Sequence, residues 1–93
     1  MPKYLISRDI EGAGKLTAEQ LKGISATSND VLQQMRGEGK NIQWIQSYVT
    51  DNAINCVYVA ADPALVQEHA QRGGFPCTNI QQIATTIDST TAE

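Results

Sequence analysis

An α+β domain, one antiparallel sheet with two helices on one face, is what three features of this sequence predict. Two helical segments carry N-terminal capping residues and end at glycines. Four β-rich runs surround them, and two of these runs meet at Asp51-Asn52, a pair that tolerates positive φ and marks a hairpin. The resulting order, β-α-β-β-α-β, is the ferredoxin-like arrangement. With 93 residues the chain suffices for one domain, expected over residues 1–88 with a polar tail at 89–93.

The first strand is expected over Lys3–Ile10, a run rich in apolar and aromatic residues that stops before Gly12 and Gly14. The first helix opens at Thr17. Gln20 follows at capping-box spacing, and Leu16 and Leu21 occupy the two hydrophobic-staple positions. Leu21, Ile24, Val31 and Met35 form a narrow apolar stripe with one polar interruption at Ser28, and Gly37 and Gly39 end the helix. The hairpin strands run from Asn41 to Thr50 and from Ala53 to Ala61. Asp62 as N-cap and Pro63 at the first helical position start the second helix, which runs through Leu65, Val66, His69 and Ala70 to Gly73-Gly74. A last strand is expected over Thr78–Ile87, with a frayed tail beyond it.

Strict alternation from a two-residue turn sets Tyr48 opposite Asn55 and Trp44 opposite Val59. One hairpin face then carries Ile42, Trp44, Gln46, Tyr48, Asn55, Val57 and Val59. The other carries Ile45, Ser47, Val49, Ile54, Cys56 and Tyr58. Two helices cover only one face, so a second copy is expected to cover the other, pairing the sheets as a dimeric α/β barrel.

Composition narrows the function. Charged residues make up 18% of the chain, the net charge is −3, and the seven Lys and Arg form no basic stripe, which argues against nucleic acid. No apolar run approaches membrane-spanning length, and no signal-peptide pattern opens the chain. Cys56 and Cys77 stand apart and read as free thiols of a reduced, cytoplasmic protein. The patterns Cys-x-x-Cys, His-x-x-x-His and Gly-x-Ser-x-Gly are all missing. Gly12-Ala13-Gly14-Lys15 lacks full phosphate-loop spacing and reads as a β-to-α turn.

The opening Pro2-to-Leu16 segment, the run Trp44-Ile45-Gln46-Ser47-Tyr48-Val49-Thr50-Asp51, the strand Cys56-Val57-Tyr58 and the segment His69-Ala70-Gln71-Arg72-Gly73-Gly74-Phe75-Pro76 together resemble a small bacterial family. Its members are described as nickel-binding or of unknown function. The resemblance implies a ferredoxin-like homodimer and a nickel-linked role; apart from nickel, no cofactor is expected. The chain holds a single histidine, so the nickel site expected is weak: His69 with one or two carboxylates and several waters, or a site shared across subunits.

His69 is the first candidate for chemistry. It reads either as a helix histidine bonded to a carbonyl or carboxylate, or as a general base or ligand donor between helix and sheet. Arg72, three residues on, is a candidate contact for an anion or carboxylate. Trp44, Tyr48 and Tyr58 read either as core and interface packing or as the wall of a ligand cavity. Cys56, mid-strand among apolar neighbours, reads as an inert buried thiol. The function expected is a small homodimeric ligand- or metal-binding protein. The alternative is a cofactor-free enzyme of monooxygenase, cyclase or isomerase type, with its pocket between the sheet and the second helix.

Overall fold

A computed structural model describes residues 1–93. The elements are β1 (Lys3–Asp9), α1 (Ala18–Gly37), β2 (Ile42–Val49), β3 (Ala53–Ala60), α2 (Pro63–Gly73) and β4 (Asn79–Gln82). The sheet order is β2-β3-β1-β4 and every neighbouring pair is antiparallel, which is the ferredoxin-like arrangement. No helix is long and apolar enough to cross a membrane.

The helices begin where their caps dictate. Thr17 Oγ1 accepts from the Gln20 amide at 3.1 Å, and Gln20 Oε1 accepts from the Thr17 amide at 2.9 Å. Asp62 Oδ1 accepts from the Ala64 amide at 2.7 Å, Pro63 follows the cap, and Gly74 closes α2 at φ 71°. Between β1 and α1 the glycine-rich segment forms a short 3-10 turn over Ala13–Lys15. Gly14 there packs on the hairpin turn, where a Cβ would sit 3.0 Å from Asp51 Cα.

One face of each helix covers one face of the sheet. Ser28, Val31, Leu32 and Met35 of α1 are buried, as are Val66, His69 and Ala70 of α2. Opposite them, alternate strand residues point inward: Tyr4, Ile6 and Arg8 on β1, and Ile54, Cys56, Tyr58 and Ala60 on β3.

The hairpin departs from strict alternation. Tyr48 does lie opposite Asn55, but the register shifts between Trp44 and Gln46, so Trp44 pairs with Tyr58 rather than Val59. Ile45 is the extra residue of a β-bulge and is 52% exposed. The bulge moves Ile42 and Trp44 to the helix side, with Ser47 and Val49, and leaves Gln46 and Tyr48 outside. Its gain is the full burial of Ile42 and a bond across the bulge from Trp44 Nε1 to Ser47 Oγ at 2.8 Å. The outer face is accordingly less apolar than alternation predicts. Leu5, Val57 and Val59 are half-buried there, Tyr48 is exposed, and Gln43, Gln46, Ser7 and Asn55 lie among them.

β4 is also shorter than its composition suggests. Its pairing reaches Tyr4 opposite Gln82, and the Ile83 amide makes one more bond to Lys3 O at 2.9 Å. There β1 begins, and no partner strand remains for the residues that follow. Ile87 is therefore exposed rather than part of a strand. The tail is not wholly irregular: Asp88 caps a short 3-10 turn over Ser89–Ala92.

Candidate functional site

A cavity of about 280 Å³ lies between the N-terminal half of α1 and the inner face of the sheet. Its origin is a change in side-chain size along α1. Val31, Leu32 and Met35 fill the space above the sheet at one end, whereas Ser25 and Ser28 leave room at the other. Leu21 and Ile24 form the roof; Val49, Ile54 and Cys56 form the floor; Trp44, Tyr58 and Phe75 supply aromatic surface. The alternative expectation put a pocket beneath the second helix. The cavity instead lies under the first, and the loop after α2 contributes only Phe75 to its wall.

Arg8 is the one charged residue on that wall. It is 4% exposed. Nη1 donates to the Pro76 carbonyl at 2.6 Å, and the guanidinium lies 5.5 Å from the Phe75 ring centroid and 6.0 Å from that of Tyr58. Nη2 has no hydrogen-bond partner, and no carboxylate pairs with the group. The candidates drawn from the sequence did not include Arg8. The signal was present: Tyr4, Ile6 and Arg8 alternate on one strand, which places the arginine on the buried face.

His69 stands behind the cavity, fully buried, with Nε2 3.1 Å from Ser28 Oγ. Its ring centroid lies 5.2 Å from that of Tyr58 and 5.6 Å from that of Phe75. Burial pushes the imidazole down to about 4, the Arg8 charge pushes the same way, and a hydrogen bond at Ser28 opposes them. The ring is neutral at pH 7. Burial likewise pushes the Tyr58 phenol up, helped by Cys56 and opposed by Arg8 and Ser28.

The other candidates part company. Trp44 and Tyr58 share the cavity wall. Tyr48 is 55% exposed on the far face of the sheet, where its hydroxyl donates to Gln46 Oε1 at 3.2 Å. Arg72 is turned to the surface. It grips Glu38 with bonds of 2.7 and 2.8 Å and lies 2.6 Å from Glu68, so its guanidinium is already occupied and does not join His69 at the cavity.

Comparison with known proteins adds the family. The family of nickel responsive proteins described as SCO4226-like matches residues 4–83. The chain belongs to that family. The crystal structure of SCO4226 from Streptomyces coelicolor A3(2) resembles this fold with a TM-score of 0.74, covering 91% of this chain and 99% of that one. Identity is 16%, so the likeness concerns the fold alone. No curated protein matches the chain.

A nickel ion is poorly served by this SCO4226-like chain taken singly. No three His, Cys, Asp or Glu side chains converge. His69 is sealed in the core, Cys56 is buried and Cys77 is exposed, so the softer donors do not meet. The donor set does not fit nickel within one chain.

Proposed function

We propose that the protein is a small-molecule-binding domain that works as a homodimer. The observation that carries this reading is the cavity of about 280 Å³, with its mostly apolar wall and few polar groups. That composition is the usual one for small-ligand sites, and the size suits a small ligand. Catalysis by His69 is less well supported, because protonating it works against both its burial and the Arg8 charge. Towards nickel this reading expects weak association at the surface, in keeping with the scattered donors. Leu5, Val57, Val59 and Tyr48 on the outer face support a second copy as its cover.

The test is a fragment titration followed by amide NMR. The Trp44 indole and the amides of Ser28 and Ser47 should shift together and saturate, in a sample that sediments at twice the 10.1 kDa chain mass. Shifts scattered over the surface, with the cavity residues silent, would remove the ligand-binding reading. Sedimentation at the single-chain mass would remove the dimer.

A further inference from the structure

We propose that the cavity selects a small carboxylate with an apolar body, seated on Arg8. The proposal deepens the ligand-binding reading and rests on it. Three observations on the cavity wall carry it.

The first is the state of Arg8. A guanidinium presents five N–H donors and accepts nothing. Arg8 is 4% exposed, spends Nη1 on the Pro76 carbonyl, leaves Nη2 without a partner and meets no carboxylate. Buried charges are ordinarily paired, because their hydration is lost. The planar fork of an arginine matches a carboxylate in particular.

The second is the sign of everything around Arg8. No Asp, Glu or Lys lines the cavity; its polar groups are three serine hydroxyls, the Tyr58 phenol, the Cys56 thiol and the Trp44 indole. The indole and Ser47 are committed to each other at 2.8 Å. Ser25, Ser28 and Tyr58 remain as neutral donors on the same wall as the cation. His69 sets the direction of Ser28. Its Nδ1 has no partner, and a buried lone pair is cheaper to leave unmade than a buried N–H. The favoured tautomer therefore holds the proton on Nε2 and donates to Ser28 Oγ, which leaves the serine hydroxyl proton free to donate in turn. His69 is thus a positioning residue.

The third is the rest of the wall. Leu21, Ile24, Val49, Ile54 and Phe75 offer only apolar surface. A multiply charged, strongly hydrated anion such as phosphate would leave charge against hydrocarbon. A monoanion with a hydrocarbon or aromatic body satisfies both ends of the site.

The experiment compares matched pairs on the full chain: 4-methylbenzoate against 4-methylbenzamide, and hexanoate against hexanamide, by calorimetry and NMR. One carboxylate of the two pairs should bind at least tenfold more tightly than its amide. Arg8→Met should abolish that preference while leaving amide affinity within about threefold, Arg8→Lys should retain part of it, and His69→Phe should reduce it without abolishing amide binding. Equal affinity for acid and amide in the unmodified chain overturns the carboxylate proposal and leaves the ligand-binding reading standing. No binding by any of the four compounds overturns both. The acid–amide comparison needs no variant, so it decides the matter even if Arg8→Met fails to fold.

Discussion

Arg8 and Arg72 carry the same guanidinium into opposite surroundings. Arg72 sits where the end of α1 meets α2, between Glu38 and Glu68, with Lys40 bridging the same two carboxylates at 3.0 and 2.6 Å. All four side chains are between 29% and 45% exposed. Arg8 lies at the other end of α1, dry, with a backbone carbonyl and two aromatic faces for company. The crowded cluster holds four ion pairs, yet exposed ion pairs are screened and contribute little. The solitary arginine is the costly one, and a costly group kept in a cavity is the better pointer to function.

The largest expected effect concerns the histidine that shares Arg8's surroundings. His69 takes its proton near pH 4 when folded and near its ordinary 6.5 when unfolded. Between those values the unfolded chain binds the extra proton, so stability is complete above about pH 6.5 and declines as the pH falls towards 4. The shift corresponds to a loss of about 3 kcal/mol. Urea unfolding at both ends of that window should register it, and His69→Phe should flatten the dependence. An equally steep decline in the variant would place the effect elsewhere and remove the electrical distinction drawn for this end of the molecule.

Arg8→Met should have the next largest effect, and its sign is informative. The change gives up the bond to Pro76 and the contacts with Tyr58 and Phe75, but it relieves an unpaired buried cation. Replacing buried charge by apolar volume is often neutral or stabilising. The variant should match the parent or exceed it by about 1 kcal/mol, and its His69 should titrate higher because one of the two influences depressing it is gone. A loss beyond about 2 kcal/mol would show that Arg8 is held for structure rather than for a ligand.

What the sequence disclosed follows the reach of each signal. The capping box of Thr17 and Gln20 and the start at Asp62-Pro63 are local, and both helices begin there. The hairpin turn is local too, although Asp51 and Asn52 make it without the positive φ expected of the pair. The bulge at Ile45 is not, because alternation assumes one residue facing one. A single extra residue carried Trp44 across the sheet to join Tyr58, while Tyr48 stayed outside. Composition alone stretched β4 towards Ile87, but its length is set by where β1 begins. The cavity depends on Ser25 and Ser28 facing Trp44 and Tyr58, a meeting of separate elements that no local pattern records. The helix neighbours of Arg72 do not disclose its partner, because Glu38, which occupies it, lies 34 residues away in the chain. The burial of Arg8, by contrast, is legible in the sequence from its spacing from Tyr4 and Ile6.

The smallest effect belongs to Arg72, and its smallness is the point. The guanidinium of Arg72 first, then the Lys40 ammonium, holds the Glu38 carboxyl down to about 2 against an ordinary 4.5. The folded chain therefore resists protonation there, and the stability this contributes is present above about pH 4.5 and lost as the pH falls through about 2. That window lies below the one set by His69, so the two regions should separate on an acid titration of stability. Arg72→Gln should leave melting near pH 7 within experimental error at physiological salt, and should blunt the additional loss near pH 2. Raising the salt should shrink even that difference, because these side chains are open to counterions. The same variant should bind carboxylates as the parent does. A fall in that affinity comparable to the fall for Arg8→Met would mean that the two arginines act on one site, and the contrast between them would collapse.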